Sequence, residues 1–139
     1  MTYETFEHGA DIGIRGKGKS IEEAFEGVAK AMFSIMIDLD KIDCEKKIKI
    51  ELESNDLTSL MVFWLNKLLT EADLNSIIFK EFEISIKKTN DSFFITSFNH
   101  GGKIKDLDDI GVEVKGVTYS LAKVFKKNDL WIAQCVVDV

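Results

Sequence analysis

Apolar residues recur with two periods along this chain, and the switches between them outline its elements. Ile21, Phe25, Val28, Ala29, Met32, Ile35 and Met36 return every three or four positions. That spacing is one face of an amphipathic helix. Ser20 stands before the run and Glu23 three residues later, a capping box that predicts the helix start; the pattern fades near Asp38. A second helix is predicted from residues 54–56 to about Ala72. Leu57, Leu60, Met61, Trp64, Leu65 and Leu68 form its main face, and Val62, Phe63 and Leu69 widen it. A helix that is apolar nearly all round packs on more than one side.

The remaining runs have period two. Ile48, Ile50 and Leu52 alternate with Lys47, Lys49, Glu51 and Glu53, which predicts a half-exposed strand. Residues 79–88 and 92–98 flank Thr89-Asn90-Asp91, a hairpin turn. Residues 112–126 and 130–139 are two more strand runs, joined around Lys127-Asn128-Asp129. Residues 3–6 and 11–14 are shorter strand candidates. Locally pairing strands with two helices predict an α+β fold. The expectation is a single domain over residues 1–139, with a mixed or antiparallel sheet of about six to seven strands packed against two main helices.

Composition narrows the function. The 139 residues are 45% apolar and carry a net charge of −6, with Arg15 the only arginine. An acidic chain with one arginine is not expected to grip nucleic acid strongly by itself. Cys44 and Cys135 match no metal or redox spacing and fit a reducing compartment. The most apolar stretch, LTSLMVFWLNKLL, is broken by Asn66 and Lys67 and is too short for a bilayer. A soluble, cytoplasmic protein is expected.

One stretch suggests a nucleotide site. GIRGKGKS, from Gly13 to Ser20, has the letters of a phosphate-binding P-loop. Such a loop follows a buried parallel strand, and the helix begins inside the motif. Here the preceding EHGADIGI is polar, and the capping box puts Ser20 outside the helix. The glycines therefore read as a strand turning into a capped helix.

Other polar residues matter more. His8 and Asp11 lie three apart beside small residues, which suits a site or simply a polar strand end. The last strand, WIAQCVVDV, is apolar until Asp138, and Val139 follows. The Asp138 side chain and the Val139 terminal carboxylate, joined by Asp11, would make an all-oxygen site for a hard divalent cation. Periodicity leaves open whether those two ends of the chain meet. Asp38, Asp40 and Asp43 fail the calcium-loop pattern, because Asp43 occupies the position of the turn glycine. Asp106, Asp108 and Asp109 read as a surface loop, His100 as a turn residue, and Lys115 as an exposed strand charge. Two histidines allow no Ser/His/Asp or Cys/His nucleophile set, so an enzyme is not expected.

Taken in order, these segments resemble the archease family. The opening YETFEHGADIGIRGKGKSIEEAF is similar to its N-terminal signature. AKAMFSIMIDL, LTSLMVFWLNKLL, EVKGVTYSLAKV and WIAQCVVDV follow with matching spacing, so the resemblance spans nearly the whole chain. Gly9 stands where a threonine is common and Val139 where an isoleucine is common. Ser120 stands where a histidine often follows the tyrosine, so no role is carried over from that histidine.

The resemblance implies a non-catalytic, metal-binding activator of the tRNA-splicing RNA ligase, one that promotes ligase guanylylation and multiple turnover. It assigns ligase activation to Asp11, Lys115 and Asp138. It assigns the metal to Asp11, Asp138 and Val139, with calcium first and magnesium or manganese as alternatives. His8 is a candidate to support those ligands. The ligase is the expected partner; a chaperone or adaptor role for another RNA-processing enzyme, such as a tRNA methyltransferase, is the alternative, and a homo-oligomer is left open.

Overall fold

The computed structural model describes residues 1–139 as eight strands and two α-helices. In chain order they are β1 (Thr2–His8), β2 (Asp11–Gly18), α1 (Ile21–Met36), β3 (Lys46–Ser54), α2 (Leu57–Asn75), β4 (Ile78–Thr89) and β5 (Ser92–Gly102), then β6 (Gly116–Val117), β7 (Lys123–Lys127) and β8 (Leu130–Asp138). Every strand pairing is antiparallel. The α+β class stands, but the strands divide between two sheets. One has the order β1-β2-β8-β6, with β7 also on β8; the other is β3-β5-β4. Both edges of β8 are already occupied, so the β4–β5 hairpin pairs with β3 instead. Hairpin periodicity carries no information on which hairpins share a sheet.

The helices are capped as their sequences require. The Ser20 hydroxyl accepts from the Glu23 amide at 3.1 Å, and the Asp56 carboxylate accepts from the Ser59 amide at 2.7 Å. Each such cap stabilises its helix by about 1 kcal/mol. Glu23 does not complete the box; its carboxylate lies 3.4 Å from the Met1 amino nitrogen. One cluster of 29 buried residues joins both helices to both sheets. At its centre Phe25 and Phe33 of α1, Trp64 of α2, and Phe79 and Phe82 of β4 pack with ring centroids 5.7–6.5 Å apart. The Trp64 indole N–H, fully buried, donates to Ser97 Oγ at 2.9 Å.

The glycine stretch is strand from Gly13 to Gly18. Gly13, Gly16 and Gly18 lie in β2, which is paired on both sides. Gly16 lets α1 lie flush on the sheet: a Cβ there would stand 2.2 Å from the Val28 nitrogen and 2.3 Å from the Ala24 oxygen. From Gly13 to Lys17 the backbone lies between two paired strands and so forms no phosphate-cradling loop.

Residues 112–126 are not one strand. Only β6 and β7 pair with β8, and residues 118–122 bulge out opposite Cys135 and Val136. Leu121 adopts positive φ, and the Thr118 hydroxyl both accepts from the Ser120 amide and donates to the Val136 carbonyl. These bonds satisfy the backbone groups that the interrupted ladder leaves free. His100, expected in a turn, lies in β5 opposite Glu81.

Candidate functional site

The β1–β2 turn brings the first candidate residues together. Gly9 and Ala10 form a two-residue connection, with Gly9 at φ +60°, where a side chain would be strained. His8 and Asp11 close that hairpin as a facing pair. On its other edge β2 pairs with β8, and the last bonded pair is Ile12 with Val137. Asp11 and Asp138 are the next facing positions. Facing residues on antiparallel neighbours hold their Cβ atoms within about 5 Å. The two ends of the chain therefore meet, and their carboxylates emerge on one face.

Alternation along β2 says which face that is. Ile12, Ile14 and Gly16 turn toward α1, so Asp11 shares the opposite face with Gly13 and Arg15. Asp11 is half-buried and Asp138 exposed, and neither forms an ion pair. Nothing in the chain neutralises these neighbouring carboxylates. That arrangement suits a cation supplied from outside. Two carboxylates stand in register here, and no group of three or more His, Cys, Asp or Glu side chains in the chain is placed to hold a metal ion. Gly116 faces Asp138 from β6, and a Cβ there would meet nothing nearer than Asn66 Oδ1 at 3.9 Å, so this side of Asp138 is uncrowded.

Lys115 joins the site through its backbone, its amide donating to the Asp138 carbonyl at 2.8 Å. It precedes β6 rather than lying within a strand, and it is exposed as expected. No ion pair links it to Asp11 or Asp138. Instead Lys115 borders an open groove of about 830 Å³ shared with Leu69, Asp73, Ile104 and Glu113. The acidic pair and the lysine are neighbouring features.

Asn66 is a structural residue that sequence reasoning missed. Its side-chain amide acts as a strand partner for β6, accepting from the Val117 amide at 3.0 Å and donating to the Val117 carbonyl at 3.1 Å. The signal was an amide inside an otherwise apolar helix run. The other acidic clusters are structural. Asp38 and Asp106 each cap a short 3-10 turn, Lys41 bridges to Asp109 at 2.8 Å, and Lys105 pairs with Asp43.

With this geometry in view, the comparisons decide the family. The Archease protein family matches residues 3–139. The chain belongs to the archease family. Among curated relatives, the archease of Methanosarcina barkeri is 41% identical, covering 99% of this chain and 95% of its own. That of Pyrococcus abyssi is 38% identical, covering 99% and 98%. The solution structure of Methanobacterium thermoautotrophicum protein 1598 superposes with a TM-score of 0.87 at 31% identity, covering 99% of this chain and 98% of that one. A crystal structure from Thermotoga maritima, described as an archease and possible chaperone, shares the fold with a TM-score of 0.59 at 22% identity. These archeases are named as proteins rather than as enzymes. No helix of this archease is long and apolar enough to cross a membrane.

Proposed function

We propose that this archease is a non-catalytic activator of the tRNA-splicing RNA ligase, working through the acidic tip formed by Asp11, Asp138 and the Val139 carboxylate. The observation that carries the reading is the β2–β8 register, which sets Asp11 beside Asp138 with no cation of the chain's own to pair them. A divalent ion bound there, calcium before magnesium or manganese, would supply positive charge at an exposed tip. The three oxygen donors hold it, and His8, facing Asp11, supports the hairpin that presents the first of them. Lys115, held by its backbone to Asp138 but aimed at no acid of this chain, is available to a phosphate or carboxylate of the partner. The net charge of −6 favours encounter with a basic, RNA-binding enzyme.

The experiment is RNA ligation with the cognate ligase at substoichiometric amount, adding the wild-type chain, Asp11→Ala, Asp138→Ala or Lys115→Ala. The wild type raises turnover and ligase guanylylation; the aspartate variants, folded by circular dichroism, do not. Full stimulation by both aspartate variants defeats the acidic-tip reading. Absence of stimulation by the wild type defeats the ligase reading and turns attention to another RNA-processing enzyme, such as a tRNA methyltransferase.

A further inference from the structure

The three-stranded sheet covers the core with one face and presents the other to solvent. Four rows run across the open face. Lys47, His100 and Glu81 form the first; Lys49, Phe98 and Glu83 the second. Glu51, Thr96 and Ser85 form the third; Glu53, Phe94 and Lys87 the fourth. Most side chains from the two outer strands are exposed, and Phe94 of the central strand is 41% exposed. Phe94 and Phe98 are the apolar side chains of this face, on either side of Thr96, with Phe94 exposed and Phe98 half-buried under Lys47 and Lys49.

Two occupants suggest themselves, and charge separates them. Exposed aromatics with lysines at their rim resemble a stacking platform for single-stranded nucleic acid. Here Lys47 lies 4.8 Å and Lys49 5.7 Å from the Phe98 ring centre. The same face, however, carries Glu51, Glu53, Glu81 and Glu83 against Lys47, Lys49 and Lys87, and four acids against three bases repel a phosphate chain. The signs are also ordered. In the first, second and fourth rows, one outer strand carries a charge opposite to that on the other.

We propose that this face pairs with the same face of a second copy of the chain, about a two-fold axis running along β5. That rotation lays β3 of one copy over β4 of the other, row on row. Lys47 then faces Glu81, Lys49 faces Glu83, and Glu53 faces Lys87, each twice because the contact is isologous. The β5 strands lie over one another, so Phe94 and Phe98 meet their own counterparts in an aligned sheet-on-sheet packing. Axes across the strands do worse: midway between the second and third rows such an axis sets Phe98 on Thr96 and Glu83 on Ser85, and through Thr96 it sets Glu51 on Glu51 and leaves Lys47 without an opposite charge. About 30 Å of strand by three strand spacings gives roughly 400–500 Å² per copy. Both copies together lie below the range of about 1,200–2,000 Å² for stable complexes, so the dimer is weak.

Sedimentation velocity of the intact chain from about 1 µM to 1 mM tests this. The wild type shifts from monomer to dimer mass, less readily as salt rises. Lys49→Glu and Glu83→Lys each weaken association about tenfold or more, because two attractive pairs become two repulsive ones. Mixed in equal amounts, the two variants associate with each other as the wild type does, since every facing pair is again opposite in sign. Both positions are exposed, so folding is unaffected, which circular dichroism checks. A monomer throughout, a dimer indifferent to both substitutions, or failure of the mixture to associate each overturns the proposal. So does oligouridine binding by the wild type that Phe98→Ala abolishes.

Discussion

Asn66 of α2 and Val117 of β6 are joined by two hydrogen bonds, side chain to backbone in both directions, at 3.0 and 3.1 Å. A third bond, from the same amide to the Val62 carbonyl at 3.1 Å, fixes the side chain against its own helix. β6 is only two residues long, and its free edge would otherwise lack partners. Asn66 thus fastens to the core the strand that follows Lys115 and flanks Asp138.

Asn66→Ala is expected to lower stability by about 2–3 kcal/mol, because both Val117 backbone groups lose their partners in a largely buried place. Urea denaturation measures this. Leu is the informative second variant: it restores apolar volume but no hydrogen bonds. If the bonds are what matters, Asn66→Leu is as unstable as the alanine variant. Both weaken ligase stimulation although neither touches the acidic pair.

The contact of Gly16 with α1 makes a second prediction. An alanine at Gly16 would drive its Cβ into backbone atoms of Ala24 and Val28, which cannot move without lifting the helix. The expected loss is at least about 3 kcal/mol, the upper end of overpacking effects, or failure to fold. Gly9→Ala strains only one exposed turn and costs about 1 kcal/mol. A Tm difference between the two variants checks the ranking.

Local chemistry is legible in the sequence, and long-range pairing is not. Ser20 and Asp56 announce helix starts through a single hydrogen bond each. Asn90 takes positive φ within a two-residue turn, as do both Asn128 and Asp129 in theirs, so those hairpins follow from residue type. The division into two sheets depends on which edges are already filled, and no residue encodes that alone. The break at Thr118–Leu121 contains no glycine or proline, so nothing marks it. Residue patterns alone leave Asp11 and Asp138 unconnected, and only the family resemblance joins them. The β2–β8 register gives that pairing a structural basis, set by the strand that runs through Ile12, Ile14 and Gly16.

If Asp11 and Asp138 hold a divalent ion, added metal stabilises the fold. Calcium at a hundred times its Kd would add about 2.7 kcal/mol and raise Tm by several degrees. Asp11→Asn and Asp138→Asn abolish that gain. Without metal the same variants are slightly more stable than the wild type, by roughly a few tenths of a kcal/mol, because facing like charges are relieved. Differential scanning calorimetry with calcium, magnesium or chelator reads both effects. A Tm indifferent to every divalent ion removes the metal from the mechanism.

Cys135 predicts an alkaline limit. It sits in β8, fully buried, and burial without a compensating partner pushes its thiol up from 9.0 to about 12. The folded chain therefore keeps this proton between pH 9 and 12, while the unfolded chain releases it. The unfolded state binds fewer protons there, so stability falls as pH rises through that window. Below pH 9 the group contributes nothing to the slope. A thiol raised from 9.0 to about 12 bounds the loss by pH 12 at about 4 kcal/mol. Cys135→Ala should remove this part of the alkaline slope, at the cost of a lower baseline from the small cavity. Comparing urea midpoints of parent and variant from about pH 7 to 11 isolates the effect, because all other titrating groups are shared. The same burial predicts thiol reactivity: exposed Cys44 is modified by a disulfide reagent in the native state, and Cys135 only at the rate of unfolding. Two equally fast thiols in the folded protein would contradict the burial on which the pH prediction stands.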